Sequence, residues 1–366
     1  MMLPINLYAE MLYREPYYNK LQSHIQQAKS TIDIAMYFVI INDKPDNPIN
    51  HLVDDLINAH KRGVRIKVVL EDSKFKENKR AYLKLRNNNV PVYFDTPEYL
   101  LHVKGVVIDS RYVFSGSANW SAAAIYRNHE ATSYYESTKD AKSLSQYIHD
   151  IPIQDGDIFL QKEEGIKIAS SFLTASKKGR RLLTSQAEKQ FELYLLLLRH
   201  VEVSGKSYFA VNYEQLAKQM AYDLPDDLGR YNNSAHYYYE RIHQSLKRLN
   251  KLGLIKYEKK QVTLISKKTF NIPYKFYSEK YFKNLSMKAK YLYLICLHQA
   301  SRSSKYPEWF RSQSDMTKIY GISNTTISEG LVELEDAELI QVTRDKPTPP
   351  DFADRLANIY RMLVLK

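Results

Sequence analysis

The side chains best suited to chemistry lie in one segment, Leu101 to Glu130. It contains an H-x-K triplet, His102 to Lys104, followed by a Gly-Ser-x-Asn turn that ends at Asn119. A phosphodiester carries a negative charge that repels nucleophiles, so a site that cleaves it needs cationic, hydroxyl and amide donors around the non-bridging oxygens. Lys104, Ser117 and Asn119 would supply those donors. His102 would be the nucleophile, because imidazole can both attack and donate a proton near neutral pH.

The same segment is predicted to form two strands that bring these side chains together. Its residues alternate as in a strand, which places His102 and Lys104 on one face. Asp109-Ser110-Arg111 has the composition of a turn, and a second short strand follows from Tyr112 to Phe114. The chain therefore returns, and the Gly-Ser-x-Asn turn should lie near the strand end that carries His102.

The spacing of these residues follows the pattern H-x-K-x4-D-x6-G-S-x-N, which resembles the motif of the phospholipase D superfamily. The pattern is matched at every position, by His102, Lys104, Asp109, Gly116, Ser117 and Asn119, with Asn128 and Glu130 following. The resemblance implies that Asp109, like Gly116 and Asn128, is structural and that Glu130 holds the ring of His102. A degenerate copy that binds phosphate without turnover is the alternative, but no motif position is substituted.

The chain contains a single H-x-K triplet. In the resembling superfamily two copies meet at a twofold axis and act on one phosphate, so we expect a homodimer with one shared site. The resemblance implies that His102 of one subunit attacks phosphorus and that His102 of the other protonates the leaving oxygen. The covalent phosphohistidine would then be hydrolysed, with no metal ion or cofactor.

Helices and strands alternate through residues 1–150, which predicts an α/β domain with a mixed sheet flanked by helices on both faces. The resemblance to the phospholipase D fold covers about the same residues. The predicted helices are Pro16–Lys29, Asn50–Arg62, Glu77–Asn88 and Lys139–His149. The other predicted strands are Thr31–Ile41, Val64–Glu71 and Pro91–Phe94.

Composition and charge narrow the choice of partner. Of the net charge of +12, residues 1–150 carry +2, from 19 Lys and Arg against 17 Asp and Glu, which leaves +10 for the rest of the chain. This asymmetry favours a polyanion bound away from the motif, with nucleic acid preferred to membrane; a generally basic surface is the alternative. The single cysteine, Cys296, excludes a disulfide framework. No apolar run approaches a membrane span and no signal peptide opens the chain, so we expect a cytoplasmic protein.

Periodicity weakens between residues 151 and 185, which predicts a linker with a basic run at 176–181. The following residues, 186–270, resemble a winged helix-turn-helix module. Its long helix, predicted from Ser234 to Leu252, buries an apolar face and ends at Gly253. The residues predicted to contact DNA lie on the opposite face of this helix and between the wing strands: Arg241, Gln244, Lys247, Arg248, Lys251, Lys259 and Lys260.

A second winged helix-turn-helix module is predicted over residues 278–366. The segment from Gly321 to Val342 resembles the turn, recognition helix and first wing strand of bacterial regulators. Its helix, however, carries acidic residues that would repel DNA except at the Asn324-Thr325-Thr326 tip. Protein contact or dimerisation is therefore an equal alternative for this module, and either module could be a packing scaffold.

Three functions remain open. The first is a metal-independent nuclease that cuts DNA and is targeted by the C-terminal modules, with strand transfer as a variant. The second is a lipid phosphodiesterase or phosphatidyl transferase, which we disfavour because such members of the superfamily usually carry two motif copies or membrane segments. The third is a DNA-binding regulator or initiator whose nuclease-like half serves dimerisation.

Overall fold

The computed structural model describes residues 9–170, 173, 188–204, 208–220, 233–265, 269–277, 279–344 and 358–366. The chain forms two units, Met1–Gly156 and Asp157–Lys366. Within the described ranges, none of the helices is long and apolar enough to cross a bilayer.

One mixed sheet forms the centre of the first unit. Its eight strands are β1 (Ala9–Leu12), β2 (Thr31–Met36), β3 (Arg65–Leu70), β4 (Val92–Asp95), β5 (Lys104–Ile108), β6 (Tyr112–Gly116), β7 (Thr132–Glu136) and β8 (Ile153–Gln154). Their spatial order is β1-β7-β6-β5-β2-β3-β4-β8. Strands β2, β3 and β4 are parallel, and every other neighbouring pair is antiparallel. Parallel neighbours need long crossovers, whereas β5 and β6 are joined by a tight turn.

Helices cover both faces of this sheet, as predicted. They are α1 (Arg14–Gln27), α2 (Pro48–Lys61), α3 (Phe75–Arg86), α4 (Ala122–Tyr126) and α5 (Thr138–Asp150). Tyr17 of α1 contacts Phe114 of β6, with ring centroids 6.4 Å apart. Val113, the preceding residue of β6, packs with Ala141 of α5. Because successive strand residues point to opposite faces, these two contacts place α1 and α5 on opposite sides of the sheet.

Asp109 fastens the β5–β6 turn to the end of α1. Its carboxylate accepts hydrogen bonds from the backbone N–H groups of Lys29, Ser30 and Thr31, at 2.7 to 3.2 Å, and from the Ser30 hydroxyl. Burial acts to raise the pKa of Asp109, but these hydrogen bonds outweigh it and hold the pKa below its usual range. Asp109 and Ser110 both adopt positive φ, 53° and 50°, as a tight two-residue turn requires. Asp109 is thus a structural residue.

The second unit contains two runs of elements with the same order: helix, strand, helix, helix, strand, strand. The first run is α7 (Glu188–Ser204), β10 (Tyr208–Ala210), α8 (Tyr213–Gln219), α9 (Ser234–Lys251), β11 (Ile255–Glu258) and β12 (Gln261–Leu264), preceded by α6 (Asp157–Glu163) and β9 (Ile166–Ala169). The second run is α10 (Met287–Arg302), β14 (Glu308–Arg311), α11 (Gln313–Tyr320), α12 (Asn324–Asp336), β15 (Ile340–Thr343) and β16 (Asn358–Met362), preceded by β13 (Thr269–Ile272). In each run the third strand lies between the first and the second.

The predicted linker is wrong for residues 151–170. Strand β8 pairs with β4 and completes the first sheet, so the first unit ends at Gly156 rather than at residue 150. Strand β9 pairs with β13, a partner about one hundred residues later, and belongs with it to the unit Asp157–Lys366. A two-residue strand and a pairing this distant leave no local periodicity to detect. The basic run at 176–181 lies outside the described residues.

Candidate active site

Lys104 is a buried cation at the start of β5. Its side chain is 8% exposed, and Nζ donates a hydrogen bond to the carbonyl oxygen of His102 at 2.7 Å. Burial lowers the pKa of Lys104, while the negative charge of Glu130 acts in the opposite direction. A lysine in this setting is a strong electrostatic partner for an anion, because little water screens it.

His102 lies just before β5, not within it. Its side chain is exposed, and its ring centroid is 4.9 Å from that of Tyr37. The backbone N–H of Tyr37 donates to the carbonyl oxygen of Val103 at 3.1 Å, which fixes the chain between His102 and Lys104. Strand β5 therefore begins at Lys104, two residues after His102, which the sequence analysis had placed in the strand. The side chain of His102 is exposed to solvent, whereas that of Lys104 is buried.

Tyr37 was missed by the sequence analysis because the apolar run Thr31–Ile41 suggested one long strand. Strand β2 ends at Met36, and Tyr37 leaves it at the edge of the site. The Nζ atoms of Lys104 and Lys74 lie 4.9 and 5.4 Å from the centroid of the Tyr37 ring. Tyr37 thus joins the histidine and lysine of the motif to a second cation, in an arrangement where the ring face attracts positive charge.

Gly116 ends β6, where it lies opposite Thr132 of β7. A Cβ atom on this residue would lie 2.3 Å from the carbonyl oxygen of Ala131 and 2.5 Å from Cα of Thr132. Backbone atoms cannot yield to such a contact, so only glycine permits this approach. Ser117 N–H then donates to Ala131 oxygen at 3.0 Å, which sets Ser117 beside the residue that precedes Ala131, Glu130.

Glu130 has different partners from the one expected. One carboxylate oxygen accepts a short hydrogen bond from the Ser117 hydroxyl, and the other accepts from Asn128 Nδ2 at 3.0 Å. Ser117 Oγ in turn accepts from the N–H of Ala131 at 3.2 Å. Within the single chain, then, Glu130 orients Ser117 and Asn128 rather than the ring of His102. The predicted role of Glu130, holding the ring of His102, came from the order of residues in the motif. In the structure, the pairing of β6 with β7 at Gly116 places Glu130 beside Ser117 instead.

Asn119 lies between β6 and α4, and its Oδ1 atom is buried. Among the described residues that atom has no hydrogen-bond partner. Leaving a buried amide oxygen without a partner costs about 1 to 3 kcal/mol, a cost that recurs at sites built to receive a ligand. Ser121 follows, and its side chain caps α4 by accepting from Ala124 N–H at 3.1 Å.

A cleft of about 480 Å³ opens beside Ser117 and Glu130. Arg14 and His129 also line it. Arg14 is exposed and has a φ of 53°, an unfavourable backbone conformation for a residue with a side chain. Neither residue belongs to the motif, and no sequence pattern pointed to them. The cleft adds a cation and a titratable ring to the donors already described.

The predicted DNA-binding residues belong to the second unit. Arg241, Gln244, Lys247, Arg248 and Lys251 are all exposed on α9, opposite the buried Ile242, Leu246 and Leu249. Lys259 and Lys260 are exposed at the turn between β11 and β12, with φ of 49° and 61°. The two predicted sets thus form one row along the helix and one hairpin tip.

We expect Glu130→Gln to lower kcat for a chromogenic phosphodiester about 10- to 100-fold, with KM little changed, because Ser117 loses its charge-assisted hydrogen bond. Steady-state kinetics at neutral pH measures this. Glu136→Gln is the matched control, since Glu136 is an exposed acid in β7 that pairs with Arg111. Unchanged kcat in Glu130→Gln would remove Glu130 from the site.

Comparison with known proteins finds similarity in the N-terminal part of the chain. Residues 21–151 match the family model described as cardiolipin synthase, PLD-like domain. A phospholipase D of Rickettsia typhi is 35% identical over 91 residues, which are 25% of this chain and 45% of that protein. A mitochondrial cardiolipin hydrolase of Chlamydomonas reinhardtii is 26% identical over 123 residues, 34% of this chain and 52% of that protein. The chain thus spans about half the length of these relatives.

Among solved structures, Nuc from Salmonella typhimurium, a phospholipase D family member, aligns with a TM-score of 0.36 at 23% identity, covering 41% of this chain and 98% of Nuc. The family match coincides with the sheet that carries His102, Lys104 and the Gly-Ser-x-Asn turn. Residues 21–151 are therefore similar to the PLD-like domains of the phospholipase D superfamily.

Proposed function

We propose that this protein is a metal-independent phosphodiesterase that cuts DNA. The observation that carries the proposal is the arrangement around the motif: an exposed imidazole at His102 and a buried cation at Lys104, with Ser117 held by Glu130 nearby. An exposed imidazole can reach a phosphorus atom, and a buried cation with hydroxyl and amide donors can stabilise the charge that develops on the oxygens.

The proposed reaction uses two copies of His102, one from each subunit of a homodimer. The first ring attacks phosphorus: a P–N bond forms, a P–O bond breaks, and the second ring gives its proton to the leaving oxygen. The second ring then takes a proton from water, whose oxygen attacks phosphorus and breaks the P–N bond. Lys104 and Asn119 would bind the non-bridging oxygens in both steps. A hydroxyl could replace water in the second step, which would rejoin strands instead of hydrolysing them.

Nucleic acid is the substrate class that the second unit supports. Its first run of elements follows the order of a winged helix-turn-helix module, and α9 would be the recognition helix. Four cations and Gln244 form the exposed row on α9, and Lys259 and Lys260 extend it at the hairpin tip. Such a row suits phosphates and base edges, and the excess positive charge of the C-terminal part adds long-range attraction.

The second run of elements is proposed as a winged helix that contacts protein. Helix α12 contains no lysine or arginine. Several of its acids are engaged within the same unit: Glu329 pairs with Lys288, Glu335 with Arg344, and Glu333 accepts from Ser286. Val332 is 54% exposed on the same helix. An exposed apolar residue among internally paired acids favours a protein surface over a phosphate backbone.

A lipid phosphodiesterase is the second candidate, favoured by the relatives named phospholipase D and cardiolipin hydrolase. A regulator whose first unit only dimerises is the third. One assay distinguishes the three candidate functions. The protein is incubated, in excess chelator, with labelled single-stranded DNA, duplex DNA, RNA and cardiolipin vesicles, alongside His102→Ala.

We expect cleavage of DNA unaffected by chelator, an acid-labile protein–nucleic acid adduct, and loss of at least about a thousandfold in rate for His102→Ala, since the nucleophile is removed. Lipid hydrolysis without DNA cleavage would favour the second candidate. Tight DNA binding without any turnover would favour the third.

The shared site predicts how activity responds to mixing. When wild type and His102→Ala are refolded together in equal amounts, about one quarter of the dimers hold two intact rings, so the activity falls to about half that of the same wild-type protein alone. Refolding the same wild-type protein with an equal amount of Asp150→Asn, an exposed acid on α5, serves as the control: every dimer keeps two intact rings, so the activity about doubles. Activity that stays linear in the wild-type fraction would mean that each chain works by itself.

The row on α9 predicts a change in salt dependence. Lys247→Gln with Lys251→Gln should weaken DNA binding and reduce the slope of log affinity against log salt by about two, because each lost phosphate contact contributes about 0.9. Fluorescence anisotropy across a salt series measures the slope. Lys275→Gln with Lys280→Gln removes the same charge elsewhere in the unit and should leave the slope nearly unchanged. Equal effects of both pairs would indicate only a generally basic surface.

A further inference from the structure

Two acidic side chains are buried together next to the residue that precedes His102. Glu71 follows β3 and is 1% exposed, and Asp95 ends β4 and is 3% exposed. Because β3 and β4 are parallel neighbours with Leu70 opposite Phe94, the next residue of each strand emerges at the same edge of the sheet. Two carboxyl groups in such a place repel each other strongly if both are ionised.

Backbone amides donate to three of the four carboxyl oxygens of this pair. Glu71 accepts from Leu101 N–H at 2.6 Å with one oxygen and from Ser73 N–H at 3.2 Å with the other. Asp95 accepts from Asp72 N–H at 2.8 Å. One carboxylate oxygen each of Glu71, Asp72 and Asp95 lie within 4.8 Å of one another. Two carboxyl groups can share a hydrogen bond only when one of them keeps its proton.

The surroundings assign that proton to Asp95. Burial, and then the charge of Glu71, raise the pKa of Asp95 to about 8. The hydrogen bond from the backbone N–H of Asp72 lowers the pKa of Asp95, whereas the charge of Asp72 raises it. The cavity beside Asp95 is also lined by Tyr147 and Asp150 of α5 and by Tyr99 and Leu100 of the connecting loop, and no lysine or arginine lines it within the described part of the chain. A nearby cation is Lys74, whose pKa is raised chiefly by Tyr37 and in part by the charge of Glu71.

The Glu71–Leu101 hydrogen bond anchors the loop that delivers His102. Residues 98–100 of this loop are exposed, Tyr99 by 83%. Leu101 returns to the core, where it packs with Ala35, Val69 and Ile148. Its N–H is held by Glu71, and the next residue is His102. A short hydrogen bond to a buried carboxylate at this point limits how far the imidazole can move.

We propose that Asp95 is a positioning residue: as a neutral carboxyl it donates a hydrogen bond to Glu71 and so keeps the Glu71 carboxylate on the amide of Leu101, next to His102. Loss of the Asp95 proton would set two buried charges against each other and loosen the loop from Thr96 to Val103. The expected effect of Asp95 on activity rests on the proposed function. The expected effect of Asp95 on the loop does not depend on that function.

The direction of the pH dependence follows from the raised pKa. A carboxyl that binds its proton more tightly in the folded chain than in the unfolded chain stabilises the fold at low pH, and this contribution declines as pH rises from about 4 to about 8. Within folded molecules, the neutral form of Asp95 gives way to the ionised form through about pH 8. The loop should therefore be held at pH 7 and loosened at pH 9.

Asp95→Asn tests this, because an amide can donate the same hydrogen bond and cannot ionise. Hydrogen exchange of residues 96–103, corrected for the intrinsic effect of pH, and DNA cleavage are measured between pH 6 and 10 for the full chain. In wild type we expect exchange to rise and cleavage to fall, each about tenfold between pH 7 and pH 9. In Asp95→Asn the loop should stay protected, and the fall in activity attributable to Asp95 should be absent. Asp150→Asn, which changes an acid of the same cavity, should behave as wild type.

Equal pH profiles in wild type and Asp95→Asn would overturn the proposal, as would loss of loop protection in Asp95→Asn at pH 7. Recovery of wild-type protection at pH 9 on adding Mg²⁺ or Ca²⁺ would also overturn it, because a cation and not a proton would then balance the pair. If exchange follows the expected profiles while none of the nucleic acids is cleaved, the carboxyl pair holds the loop and the proposed function is wrong.

Discussion

The close approach of β6 and β7 at Gly116 is the constraint on which the candidate site depends. It sets Ser117 against Ala131 and so brings the hydroxyl of Ser117 to the carboxylate of Glu130. A methyl group at residue 116 would meet backbone atoms at 2.3 and 2.5 Å, which no side-chain rotation can relieve. The glycine of the motif is therefore required by the sheet, and the sheet in turn orients the polar groups.

The rest of the first unit holds the two halves of the motif in register. Asp109 ties the β5–β6 turn to the end of α1 through four polar groups of residues 29–31. On the other side, β5 lies antiparallel to β2, with Lys104 opposite Met36. Strand β5 is fully buried, so Lys104 cannot move into solvent without disturbing the pairing. Burying the charge of a lysine costs free energy, and the rigid neighbours of Lys104 hold it in place despite that cost.

Charge is managed differently in different parts of the chain. Lys104 is desolvated and has Glu130 as its electrostatic partner. Glu71 and Asp95 form a buried pair of acids, in which burial and the charge of Glu71 raise the pKa of Asp95. On α9 the cations lie exposed in solvent, where they are screened by salt and can reach a partner. Helix α12 presents the opposite case, since its acids bond to neighbouring groups of the same unit.

The sequence by itself determined the residues of the motif, the alternation of helices and strands, and the apolar faces of the long helices, because each of these is a local pattern with a fixed period or spacing. Only the tertiary structure decided the partner of Glu130, the place of Tyr37 beside His102, the pairing of β9 with β13, and the meeting of Glu71 with Asp95. Those contacts join residues distant in sequence, and which of them form depends on how all the strands pack together.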